Sequence, residues 1–137
     1  MSRLVILDVA AVRALGDPAH PKHRRVVSHL QIVASRKRRA EAVQVVVPTT
    51  VRVEAGWDRA SAAWAFPNRL RITDVPLDQS LGNVAAAIRR ISAVSAARAH
   101  VGAVIHSTSA AEISIVTSDP EDIRSIAAYR SITIVAI

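Results

Sequence analysis

Three short runs of branched apolar residues, "LVIL" at 4–7, "VQVVV" at 43–47 and "ISIV" at 113–116, limit most strongly how this chain can fold. A strand with one wet face alternates polar and apolar residues. A strand covered on both faces has no reason to alternate, and in proteins such strands sit in parallel sheets under helices. Each run stops at a residue that ends or turns a strand: Asp8, Pro48 and Thr117–Asp119.

The segments between these runs read as helices. After a loop holding "GDPAHPKH", residues 23–42 lack helix breakers, and Val26, Val27, Leu30, Val33 and Ala34 recur at helical spacing. "TTVRVEAGWDRASAAWA" (49–65) predicts a second helix with Thr49 or Thr50 as its cap. "RLRITDVP" (69–76) alternates like a strand and closes at Pro76. Leu77, Leu81, Val84, Ile88 and Ile91 then fall at steps of four and three, an amphipathic helix. A helix over 97–111, a strand over 112–119, a helix over 120–129 with Pro120 at its first position and a strand over 131–137 complete the chain. The resulting order, β-α-β-α-β-α-α-β-α-β, predicts one α/β domain over 1–137, a three-layer α/β/α sandwich around a mainly parallel central sheet.

In open parallel sheets, ligands collect beyond the carboxyl ends of the strands. Asp8 follows "LVIL", Glu54 lies in the helix after "VQVVV", and Asp119 follows "ISIVTS". Carboxylates that converge repel one another, and a hard cation such as Mg²⁺ or Mn²⁺ is the usual remedy; an ion held so can activate water against a phosphodiester. A structural role is open to the first and last: Asp8 as a turn or cap residue, and Asp119 as the cap of "DPED", with proline and two acids in the first turn. Glu54 is not at capping-box spacing from Thr49 or Thr50, and its stretch is largely apolar, so a functional role is the better reading.

The net charge of +7, with a pI near 11.4, favours a negatively charged partner. Arg24 and Arg25, then Arg36, Lys37, Arg38 and Arg39, lie on the first long helix or at its ends and are the candidate nucleic-acid contacts, with Arg59, Arg89 and Arg90 elsewhere. Aromatic residues make up only 3% of the chain, too few for a base-stacking platform. The four glycines (16, 56, 82 and 102) build no phosphate-cradling loop, and the five histidines show no metal-ligand spacing. Trp57 and Trp64, seven apart, read as a packed helix face. With no cysteine, no run of apolar residues long enough to span a bilayer and no signal segment, a cytoplasmic protein without a membrane partner is expected.

Three blocks, "LVILDVAAV", "VVVPTTVRVEAGW" and "VTSDPEDIRSIA", resemble in order and spacing those of PIN-domain proteins, in particular the VapC-like ribonuclease toxins of type II toxin–antitoxin systems. The resemblance implies an endoribonuclease that cuts RNA with water activated by Mg²⁺ or Mn²⁺, inhibited by a cognate antitoxin, and a homodimer. It assigns Asp8, Glu54 and Asp119 as catalytic metal ligands, with Thr117 and Ser118 in support. One departure stands out: "HVGA" puts Gly102 where the resemblance implies a further aspartate, with Glu112 and Asp122 as candidate substitutes. The alternative is therefore a weakened or inactive PIN-like domain that binds RNA or an antitoxin-like partner without cleavage.

Overall fold

The computed structural model describes residues 2–38 and 42–137, the side chains of 36–38 excepted. Five strands, β1 (Ser2–Leu7), β2 (Ala42–Pro48), β3 (Ile72–Val75), β4 (Glu112–Thr117) and β5 (Thr133–Ala136), form one sheet in the order β3-β2-β1-β4-β5, every pair parallel. The helices are α1 (Val9–Gly16), α2 (His23–Arg38), α3 (Thr49–Ala55), α4 (Ala65–Arg69), α5 (Gln79–Ile91), α6 (Ala96–Ser107) and α7 (Pro120–Ala127). Chain progress runs one way from β1 to β3 and the other way from β4 to β5. Right-handed crossovers therefore put α1–α4 on one face and α5–α7 on the other, which makes the expected three-layer α/β/α sandwich.

The three branched runs supply the middle of the core. Ile6, Leu7, Val47, Ile115 and Val116 have no accessible surface, because helices cover both of their faces. Register follows from this burial: Val5 pairs with Val45 on one side and Ser114 on the other, and Leu7 lies beside Val116. All three central strands thus end at the same level, and the residues just beyond them share one end of the sheet. Among the described residues no helix is long and apolar enough to cross a membrane.

Several elements depart from the sequence reading. Helix α1 occupies "VAAVRALG", which carries no predicted helix; it is short and mostly Ala and Val, and Ala11, Val12, Ala14 and Leu15 are all buried. The helix expected over 49–65 breaks after α3. Gly56, at φ 78°, takes the left-handed cap, and its amide donates back to the carbonyl of Val53. A 3-10 turn (Ala62–Trp64) and α4 follow it.

Trp57 and Trp64 do not share one helix face; the break lets them stack at 5.9 Å, with Trp57 Nε1 donating to Asn68. The Trp64 ring closes on α1 at Gly16, where a Cβ would lie 2.1 Å from the ring. Ile91, the last residue of the predicted α5 stripe, is exposed. Of the predicted end of the first long helix, residues 39–41 lie outside the described residues, and Ala42 belongs to β2 instead, where it pairs with Ser2.

Candidate functional site

The strand order reverses between β1 and β4, and at such a point the two neighbouring connections leave in opposite directions and open a crevice at the carboxyl ends. Asp8 follows β1 there, and Thr117 and Asp119 close β4. The carboxylate of Asp8 is fully buried. Its Oδ1 accepts from the amide of Val9, capping α1, while Oδ2 accepts from the hydroxyl of Thr117 at 2.8 Å. That hydroxyl in turn accepts from the amide of Asp119. Asp8 is thus both a cap and a member of the site. Asp119 stands at the cap position of α7, but its side chain caps nothing and points instead into the crevice.

Both carboxylates are directed at a guanidinium. Arg98, in the first turn of α6, donates from one terminal nitrogen to Asp8 Oδ2 and from the other to Asp119 Oδ2 and Asp122 Oδ2, each at 2.9 Å. A cation in the first turn of a helix faces the positive end of the macrodipole and is disfavoured there, so its placement depends on the acids in front of it. Burial alone would lower the pKa of Arg98; the charge of Asp8 and the hydrogen bonds to Asp119 and Asp8 outweigh this and raise it above its ordinary value. The arginine is charged at every working pH.

The other predicted ligands are not gathered here. Glu54 does not face the core: it is exposed and has no hydrogen-bond or ion-pair partner among the described residues. Ser118 is exposed as well, whereas Thr117 is fully buried and bonded to Asp8. Glu112 pairs with Arg3 at the start of β1, at the opposite end of the sheet. Of the two candidate substitutes, only Asp122 joins the cluster.

Gly102 is not the vacant ligand position. A Cβ there would meet Ile88 Cδ1 at 2.7 Å and Ile126 at 3.5 Å, inside the apolar seam of α5, α6 and α7. Arg98 and Gly102 lie on the same stripe of α6, one turn or about 6 Å apart along the axis, so Arg98 faces Asp122 while Gly102 faces Ile126. The position that reaches the ends of the strands is 98. The sequence signal for this is Ser95, whose hydroxyl accepts from the amide of Arg98 and starts α6 at residue 96.

With Arg98 seated, the donor set does not fit a divalent ion. Both oxygens of Asp8 are engaged, Oδ1 by the amide of Val9 and Oδ2 by Thr117 and the guanidinium, and Asp119 Oδ2 holds the same guanidinium. Among the described residues, no three His, Cys, Asp or Glu side chains are placed to share a metal ion.

Two neighbouring polar groups are structural. Arg59 and Arg52 both pair with Asp74 on β3 at 2.8 Å, and Arg59 lies over the Trp57 ring at 4.5 Å. Burial would raise the pKa of Asp74, but the hydrogen bonds and charges of Arg59 and Arg52 outweigh it and hold the carboxyl below its ordinary range. His100 on α6 is fully buried, and its Nδ1 pairs with the hydroxyl of Thr50 at 2.7 Å, tying α6 to the start of α3.

Burial pushes the pKa of His100 below its ordinary 6.5, against the opposing pull of the Pro76 carbonyl and Asp78. Below pH 6.5 the unfolded chain therefore takes up a proton that the native state resists, and stability falls as pH drops through that window. Thermal unfolding from pH 8 to about pH 5 should show the loss in the parent and less of it in His100→Gln. Equal losses in both would assign it to other groups.

No family model matches this chain, and no curated protein matches it.

Proposed function

We propose that this chain is a PIN-like domain that binds RNA and does not cut it. The observation that supports this reading is Arg98: at the switch point of the sheet, where a hydrolytic metal would be held, the carboxylates of Asp8, Asp119 and Asp122 are engaged by a side chain of the same protein. RNA is favoured over an acidic protein because the positive excess is concentrated on one long element. The sequence of α2 holds Arg24, Arg25, Arg36, Lys37 and Arg38 and no acid, and Arg24 and Arg25 are exposed. Arg39 lies outside the described residues. A segment of such composition attracts a phosphate backbone without reading its sequence.

A second reading rests on the meeting of Asp8, Thr117 and Asp119 at one point: a metal-dependent endoribonuclease toxin, cytoplasmic and homodimeric, in which Mg²⁺ or Mn²⁺ displaces Arg98 and an antitoxin restrains the activity. One experiment separates the two. Fluorescence anisotropy with a labelled mixed-sequence RNA should show binding that weakens steeply with salt. Arg24→Ala with Arg25→Ala should lower the slope of log K against log salt by about two. The RNA recovered from Mn²⁺ should be intact. Cleavage that Asp8→Ala abolishes would establish the nuclease instead, and salt-independent binding would remove nucleic acid from either reading.

A further inference from the structure

Three carboxylates around one point, one of them fully buried, need a positive charge or a proton to coexist. A guanidinium meets that need differently from a metal ion. It is flat, it presents several N–H groups in a fixed fork, and it cannot lose its proton in a protein. Arg98 uses both prongs of this fork: one terminal nitrogen serves the end of β1 through Asp8, and the other serves α7 through Asp119 and Asp122. The guanidinium therefore ties together the successive helices α6 and α7 and the β1–α1 junction, which lies 90 residues before it in the chain. An ion such as Mg²⁺ would need Asp8 Oδ2 at about 2.0–2.1 Å, where the guanidinium and the Thr117 hydroxyl already converge, so it could enter only after the guanidinium had been expelled from its half-buried seat.

We infer that Arg98 is the permanent counter-cation of this acid cluster, a built-in replacement for a divalent metal, and that the fold depends on the arginine and not on a metal ion. The inference shares the position of Arg98 with the functional reading but not its partner; RNA binding can fail while it stands. Its distinctive consequence is reciprocity. Without the guanidinium, the cluster keeps three unneutralised carboxylates, and a divalent cation should then bind the native state and restore stability by mass action.

The test is thermal unfolding of the parent, Arg98→Met and Arg98→Lys, each in EDTA, Mg²⁺ and Mn²⁺, with free Mn²⁺ followed by electron paramagnetic resonance. The parent should unfold at the same temperature in all three conditions and leave Mn²⁺ free. Arg98→Met should unfold earlier in EDTA, regain part of the loss in Mn²⁺, and bind the ion at least about tenfold more tightly than the parent. Adding Asp122→Asn to Arg98→Met should cut that gain. If Arg98→Met does not fold, Arg98→Lys, whose point charge cannot span three carboxylates, carries the test: it should be less stable than the parent in EDTA and respond to Mn²⁺. A parent that binds Mn²⁺ as tightly as the variants, or folded variants as stable as the parent in EDTA and indifferent to Mn²⁺, would overturn the inference.

Discussion

Gly102→Asp is expected to destabilise the domain by about 4 kcal/mol or more, enough to unfold a protein of ordinary stability, and to create no metal site. The new carboxylate would enter a seam built from small and branched apolar groups. Ala85, Ala99 and Ala103 let α5 and α6 approach closely, and Ile88 and Ile126 close over residue 102. No cation and no donor is directed at that point by any hydrogen bond or ion pair of the described residues.

Gly102→Ala separates the steric from the electrostatic part. Its Cβ presses on Ile88 Cδ1, the movable end of a side chain, and the gain of roughly 1 kcal/mol in helix propensity offsets that contact. Urea unfolding of the two variants should therefore place Gly102→Ala near the parent and Gly102→Asp far below it. A well-folded Gly102→Asp that binds Mn²⁺ would return residue 102 to the acid site and refute the geometry.

Asp8→Ala is the second large effect, expected to cost about 3 kcal/mol and to lower the melting temperature by roughly 10 °C. Three partners lose their acceptor at once: the amide of Val9 at the start of α1, the hydroxyl of Thr117 inside the core, and the half-buried guanidinium of Arg98. The cost comes chiefly from leaving the buried Thr117 hydroxyl and one arm of the guanidinium without an acceptor, the other arm keeping Asp119 and Asp122, more than from the strength of the bonds removed.

Asp119→Ala and Asp122→Ala form the internal comparison. Each of these carboxylates pairs with Arg98 at the same distance as Asp8 does, yet their side chains are 47% and 52% exposed, against none for Asp8. Water screens and replaces such contacts, so each should cost under about 1 kcal/mol. Calorimetry on the three variants tests the ranking; equal losses would mean that Arg98 holds its acids with no regard to burial.

The residues show why some of this was legible in the chain and some was not. "LVIL", "VQVVV" and "ISIV" determine a sheet covered on both faces, because each holds consecutive branched apolar residues that a strand with one wet face would not carry, and the alternation of elements then determines that it is parallel. The ends of these runs determine that Asp8, Thr117 and Asp119 arrive at the carboxyl end of the sheet. Local sequence also marks the stop of α3 at Gly56 and the start of α6 at Ser95, although each signal is a single residue that a longer apolar pattern can override.

Tertiary structure alone decided the rest. Val9–Gly16 is helical because neighbours bury it on several sides, which no period within eight residues expresses. Glu54 points to solvent because α3 ends after two turns, and its apolar neighbours in sequence are not its neighbours in space; Val53 beside it is exposed too. Most of all, the cation of the acid cluster comes from residue 98, and the gap at residue 102 is filled by isoleucine. The two positions differ by one helical turn on the same stripe. Sequence spacing gives their common face, but only the packing of α6 against α7 determines which of them stands at the end of the sheet, where the carboxylates are, and which lies in the apolar seam below.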